Sequence, residues 1–262
     1  MPGEPSAPII LETRHLRREF GALVAVDDVS LQVRAGSLHS IIGPNGAGKT
    51  TLFNLLSGNI PPTGGRIFFK GQEITRLPVH RRAHLGMGRS FQITNLFPNL
   101  TVLENVRLAA QAVGQDNFRL FRSHRHFRRY EERAWAVLEQ VGLTARAAMP
   151  ARTLPHGDQR KLELAMILAP DPELLLLDEP TAGMASEQVP ELMALIQAIQ
   201  ETGRKTVMLV EHNMNVVMRV SDTVTVMHRG AILAEGPPQA IAANETVQQA
   251  YLGSLYDPVE GR

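Results

Sequence analysis

The chain has 262 residues, enough to bury a full hydrophobic core as one domain with a lobe or as two smaller ones. A formal net charge of +1 argues against a nucleic-acid binder working by global electrostatics, and the absence of cysteine rules out disulfides and thiolate metal sites. No apolar run approaches the roughly 18 residues needed to span a bilayer, so any action at a membrane would need another subunit to cross it.

Residues 1–8, MPGEPSAP, have neither a basic start nor an apolar centre and read as a flexible tail, not a signal peptide. From Ile9 to Val33 the pattern is of short strands with turns, and VDDVSLQV alternates as a half-buried strand does. Phe20, just before Gly21, is either an aromatic that stacks on a nucleobase or an ordinary core residue.

An apolar run, Leu38 to Ile42, then meets Gly43-Pro44-Asn45-Gly46-Ala47-Gly48-Lys49-Thr50-Thr51, which fits G-x-x-x-x-G-K-[ST]. An amphipathic stretch to Ser57 follows, giving strand, loop and helix. Glycines let such a loop turn its N–H groups inward on a phosphate chain, and the helix adds its positive end. In this pattern Lys49 reaches the β- and γ-phosphates and the Thr50 hydroxyl holds Mg²⁺.

Pro61 to Gly65 is a turn cluster, RIFFKG a strand, and GMGRSFQ (86–92) a short strand ending at Gln92, whose amide oxygen can coordinate a metal or a water. Residues 93–156 carry nine arginines, no lysine and five acids, a net of +4 against −3 for the remainder. Helical patterns cover about 101–113 and 127–141, with Thr101 and Glu104 at capping-box spacing. Arg119, Arg122, Arg125 and Arg128 recur every third residue among Phe118, Phe121 and Phe127. They form either a solvated helix face or a surface for anionic headgroups or a partner.

Leu154-Pro155-His156-Gly157-Asp158 leads into a strongly helical run that stops before Pro170, with a glycine just ahead of the helix as a second potential anion site. ELLLLDEP reads as a central parallel strand whose C-terminal end carries Asp178 and Glu179. There Asp178 would hold Mg²⁺ through water and Glu179 would orient or deprotonate an attacking water. A helix over about 187–202 and a further strand, TVMLV, bring His212 to the same kind of strand-end edge. TVTVMHRGAILAEG reads as an antiparallel pair turning at Arg229-Gly230.

In this order the motifs resemble those of the ATP-binding-cassette (ABC) ATPases from about Ile9 to Gly253. Within that family FGALVAVDDVSL, RSFQ, LTVLENV, LPHGDQRKLELA, VEHNM and AYLG are similar to the ATPase subunits of branched-chain amino-acid importers. The resemblance implies an α/β fold: a P-loop NTPase (RecA-like) core over 9–92 and 157–253 with an antiparallel β subdomain, an inserted helical subdomain over 93–156, and a tail over 254–262. It implies ATP and Mg²⁺ as ligands, with Thr50, Gln92 and Asp178 at the metal, Glu179, His212 and Gln92 in catalysis, and Phe20 as an adenine platform.

Two ATPase subunits would face head to tail, each ATP lying between the 43–51 loop of one and residues 154–158 of the other. The expected partners are transmembrane permease subunits at the cytoplasmic face of the membrane and, indirectly, an extracytoplasmic solute-binding protein, with no nucleic acid. Departures from the family pattern are Pro155 and Asp158 in the L-S-G-G-Q signature, and Ala185 where Asp or Asn is usual. They raise a heterodimer with a related ATPase beside the homodimer. The alternatives to an importer subunit are an export or lipid-extraction ATPase and a soluble nucleotide-switched module.

Overall fold

The structure is a computed structural model that describes residues 7–90, 96–114 and 128–256, the last six of these as helix backbone only. Its elements run β1 (Ile9–Phe20), β2 (Leu23–Arg34), β3 (Leu38–Ile42), α1 (Lys49–Ser57), β4 (Gly64–Phe69), β5 (Gln72–Glu73), α2 (Val79–His84) and β6 (Met87–Arg89). Helices α3 (Val102–Ala112), α4 (Arg128–Gln140) and α5 (His156–Leu168) follow, with single 3₁₀ turns at Thr144–Arg146 and Ala151–Thr153. Then come β7 (Leu174–Asp178), α6 (Val189–Glu201), β8 (Thr206–Val210), α7 (Met214–Val220), β9 (Thr223–His228), β10 (Ala231–Gly236), α8 (Pro238–Ala242) and α9 (Glu245–Tyr256). They group into two compact units, one made of Met1–Arg82 with Gln200–Arg262, the other of Ala83–Ile199.

The first unit holds an antiparallel sheet of order β2-β1-β4-β5. Where short strands were expected, β1 and β2 are each 12 residues long. Register shifts around Leu16 interrupt the alternation of β1, and His15 and Asp28 lie in the left-handed region at φ 51° and 53°. The two side chains meet across the kink, His15 Nδ1 to Asp28 Oδ1 at 2.7 Å. A bulged strand breaks period 2 without ending, so it reads as two pieces. Gly21, at φ 61°, turns the hairpin that pairs Phe20 with Leu23.

The same unit contains β3 between two parallel neighbours, β8 and β9, with β10 antiparallel to β9. Every residue of β3 and β8 is buried, as a strand covered on both faces must be. Ile42, Val217, Val224, Val226, Ile241 and Val247 form one core cluster here. The polar residues of β3 are paired: Ser40 shares a hydrogen bond with Ser221 at 2.6 Å, and His39 Nε2 lies 2.7 Å from the Thr225 hydroxyl.

In the second unit β6 runs parallel to β7 and α3, α4 and α5 pack together through Val102, Val106, Ala134, Val137, Leu138, Leu162 and Ala165. The expected capping box is present. The Glu104 N–H donates to Thr101 Oγ1 at 3.1 Å and the Thr101 N–H to Glu104 Oε2 at 2.8 Å. Asn105, fully buried, ties the incoming loop to α3 through Phe97 and the Leu100 and Thr101 carbonyls.

Two expectations are corrected. Helix α5 begins at His156 with Pro155 as its N-cap, so Gly157 lies inside the first turn and not ahead of the helix. Proline suits that place because its missing N–H is not needed at a helix start. Strand β6 ends at Arg89, before Gln92; Ser90 then caps the pairing by donating its N–H to the Leu176 carbonyl at 2.9 Å. Gln92, Arg119, Arg122, Arg125, Phe118, Phe121 and Phe127 lie outside the described residues.

Candidate functional site

The first unit builds a phosphate cradle at the C-terminal edge of β3. Gly43, Gly46 and Gly48 have φ of 154°, 80° and 99°. At two of them the backbone is also pressed against its surroundings. A Cβ on Gly43 would stand 2.2 Å from the Met227 carbonyl oxygen, and one on Gly48 2.3 Å from that of Ala25. Gly46 faces open space, and with Asn45 forms the exposed rim of the loop. Ala47 is buried beneath it, its carbonyl accepting from the Gly230 N–H at 3.1 Å. Strand β2 and the β9–β10 turn therefore brace the loop from behind, which explains why Gly43, Ala47 and Gly48 must be small.

Lys49, 6% exposed, is the first residue of α1, and its Nζ donates to the carbonyls of Gly43 at 2.7 Å and Pro44 at 3.0 Å. Thr50 and Thr51 follow, half-buried, in a first turn that has no acid and no side-chain cap. A helix end of this kind, with a lysine beside it, suits a chain of phosphates. Strand β8 is a parallel neighbour of β3, Val210 pairing in register with Ile41. His212, exposed, thus leaves the same edge as the loop, its N–H 3.3 Å from the carboxylate of the buried Glu211. Phe20 ends β1 with 46% of its surface exposed and the Arg18 guanidinium 4.4 Å above its ring, so it is a surface aromatic and not a core one.

The second unit carries the carboxylates. Asp178, 3% exposed, ends the buried β7, its N–H donating to Ser90 Oγ at 2.9 Å and its carboxylate 3.6 Å from Arg89 Nη2. Burial lowers the Arg89 pKa and the Asp178 charge opposes that shift. Glu179 follows, half-buried, at φ 50°, a left-handed conformation uncommon for a residue with a side chain and frequent where function constrains the backbone. A buried carboxylate here and a threonine hydroxyl at Thr50 are hard oxygen donors of the kind Mg²⁺ takes alongside several waters.

At the start of α5, Leu154 is buried, Pro155 and His156 are exposed and Gly157 is buried; a Cβ on Gly157 would meet Gln188 at 3.0 Å. Asp158 is ion-paired with Arg146, and Lys161 lies 3.9 Å from Asp158 and 2.6 Å from Glu191. These residues line a cavity of about 210 Å³ together with Pro155, Gly157, Met184 and Gln188. The acid at position 158 is thus balanced by two cations.

Sequence patterns pick out the loop, both carboxylates and His212 but miss Ser90, Arg89 and Arg146. Ser90 and Arg89 meet Asp178 from far along the chain, 88 residues for Ser90, while Arg146 reaches Asp158 from the 3₁₀ turn ahead of α5, and no local spacing marks any of them.

A family model described as ABC transporter matches residues 26–182, and one described as branched-chain amino acid ATP-binding cassette transporter matches residues 231–256. The chain is 44% identical over 250 residues to the high-affinity branched-chain amino acid transport ATP-binding protein BraF of Pseudomonas aeruginosa, covering 93% of this chain and 98% of that one. It is 40% identical over 249 residues to LivG of Escherichia coli, a protein of the same description, with the same coverage. Among solved structures, an ATP-binding cassette of an ABC transporter in its ADP conformation superposes with a TM-score of 0.81 at 28% identity, over 94% of this chain and 100% of that one. A dimeric cassette in a post-hydrolysis state, bound to ADP and Pi, superposes with a TM-score of 0.74 at 26% identity, over 87% and 99%.

Proposed function

Because this chain belongs to the ABC transporter family, as one of its ATP-binding, ATP-hydrolysing subunits, we propose that it powers the import of branched-chain amino acids through a membrane permease. The observation that carries the solute is the match of residues 231–256 to a segment described for branched-chain amino acid transporters. No helix among the described residues is long and apolar enough to cross a membrane. The subunit sits peripherally on the cytoplasmic face, against permease subunits that receive solute from an extracytoplasmic binding protein.

In this reading the backbone of Gly43, Pro44, Asn45, Gly46, Ala47 and Gly48 cradles the phosphates, Lys49 reaches the β- and γ-groups, and Phe20 stacks on the adenine. Thr50, Asp178 and Gln92 hold Mg²⁺, which when bound supplies charge neutralisation at the phosphates. Glu179 orients and deprotonates the attacking water, Gln92 reports the nucleotide to the permease, and His212 donates to the γ-phosphate. Arg89 and Ser90 hold the end of β7 so that Asp178 and Glu179 keep their places. The core comprises 9–92 and 157–253 and the helical subdomain 93–156. A second copy, or a related ATPase, presents Leu154, Pro155, His156, Gly157 and Asp158 to the nucleotide. The dimeric form of a solved relative supports that arrangement.

The test is uptake of radiolabelled leucine, isoleucine and valine by cells lacking this chain. High-affinity uptake of all three is expected to disappear and to return with the wild-type chain but not with Glu179→Gln. Unchanged uptake of all three would sink the solute assignment and leave the ATPase one standing.

A further inference from the structure

Among the described residues Arg82 heads the fully buried side chains by volume, with 2% of its surface exposed. Among the described residues its guanidinium meets main-chain carbonyls and no carboxylate. Nη1 donates to Leu55 O at 2.8 Å and Leu56 O at 2.6 Å, Nη2 to Thr75 O at 3.1 Å, and Nε to Leu77 O at 2.9 Å. Leu55 and Leu56 lie in the last turn of α1, at the negative end of the helix, and the Leu55 carbonyl accepts from the Gly58 N–H at 3.1 Å as well. Burial brings the Arg82 pKa down to about 10, so the group is still a cation at neutral pH.

The room for it is kept by Gly58, the C-cap of α1. A Cβ there would stand 2.8 Å from Arg82 Nε and 2.9 Å from the Leu77 carbonyl oxygen. One planar fork thus joins the C-terminal end of α1 to the 75–77 turn, which a lysine's point charge cannot do on all sides.

The other end of α1 is Lys49-Thr50, and the helix is only nine residues long, about 13 Å. Within so short a helix its own hydrogen bonds make both ends move together. We infer that Arg82 is a positioning residue for nucleotide binding, holding Gly48, Lys49 and Thr50 in place by fixing the far end of the same helix. The inference rests on the reading of residues 43–51 as the nucleotide site.

The test uses the full chain, a fluorescent ATP analogue and steady-state ATP hydrolysis, all well below the melting temperature. Arg82→Met keeps the bulk and removes every donor; Arg82→Lys keeps the charge alone. Val137→Ala, at a fully buried position of α4 in the other unit, is a destabilised control away from the loop. Arg82→Met is expected to raise the Kd of the analogue and the KM for ATP about tenfold with kcat changed less than about twofold. Arg82→Lys should recover part of the affinity, and Val137→Ala should lower Tm with Kd unchanged. If Arg82→Met does not fold, Arg82→Lys and Gly58→Ala decide by the same measurements. Wild-type Kd in these variants, with Tm lowered, would overturn the inference and leave Arg82 a stabilising residue only. Failure of the wild-type chain to bind the analogue would overturn the nucleotide reading as well.

Discussion

The Lys49 ammonium donates to the Gly43 carbonyl at 2.7 Å, so the loop is closed on the cation at its own C-terminal end. The charge is held by its surroundings and not by a flexible stem, because the side chain is almost wholly buried. Hydrogen bonds to a charged group are worth about 1.5–3 kcal/mol. Lys49→Ala is therefore expected to weaken ATP binding roughly 10- to 100-fold. Lys49→Arg should not restore it, since the larger guanidinium has no room in a buried cradle. Titration calorimetry on both variants checks this.

The loop glycines separate two physical causes. Gly43→Ala and Gly48→Ala drive a methyl to within 2.2 and 2.3 Å of backbone oxygens. Both are expected to abolish nucleotide binding and lower Tm. Gly46→Ala meets nothing within 4 Å and carries only the left-handed penalty of about 1–2 kcal/mol. It should bind nucleotide measurably, and equal damage at all three positions would contradict the bracing of the loop by Ala25 and Met227.

Glu179→Gln keeps the shape of the side chain and removes its basicity. ATP binding is expected to persist while hydrolysis falls roughly 10²-fold or more, and the nucleotide-bound dimer should accumulate. Size-exclusion chromatography with ATP and a phosphate-release assay read the two effects, and near wild-type turnover would remove Glu179 from the role of base.

His39 supplies a pH dependence. Burial pushes its pKa from the usual 6.5 down to about 4. The unfolded chain therefore takes up a proton that the folded chain refuses between those values. This contribution to stability is complete above pH 6.5 and is lost as pH falls toward 4, on the order of 3 kcal/mol in all. Urea midpoints should decline from pH 6.5 to 5, and His39→Gln, which can still bond to Thr225, should flatten that slope. Acidic groups that titrate lower down set the behaviour below pH 5.

What the amino-acid order determined by itself was local. Glycine spacing marked the 43–51 loop, four leucines before Asp178 marked a covered strand, and Thr101 with Glu104 marked a helix start, because each property acts within a few residues. Tertiary structure alone decided the rest. It put Ser90 under the Asp178 N–H, paired Asp158 with Arg146, moved Gly157 inside α5 and carried β1 through its kink at His15 as one long strand. Above all it buried Arg82, which in sequence is one of two adjacent arginines in a polar stretch, against the carbonyls of Leu55 and Leu56. Helix ends leave main-chain groups unsatisfied wherever they fall, and only the folded chain shows which distant side chain reaches them.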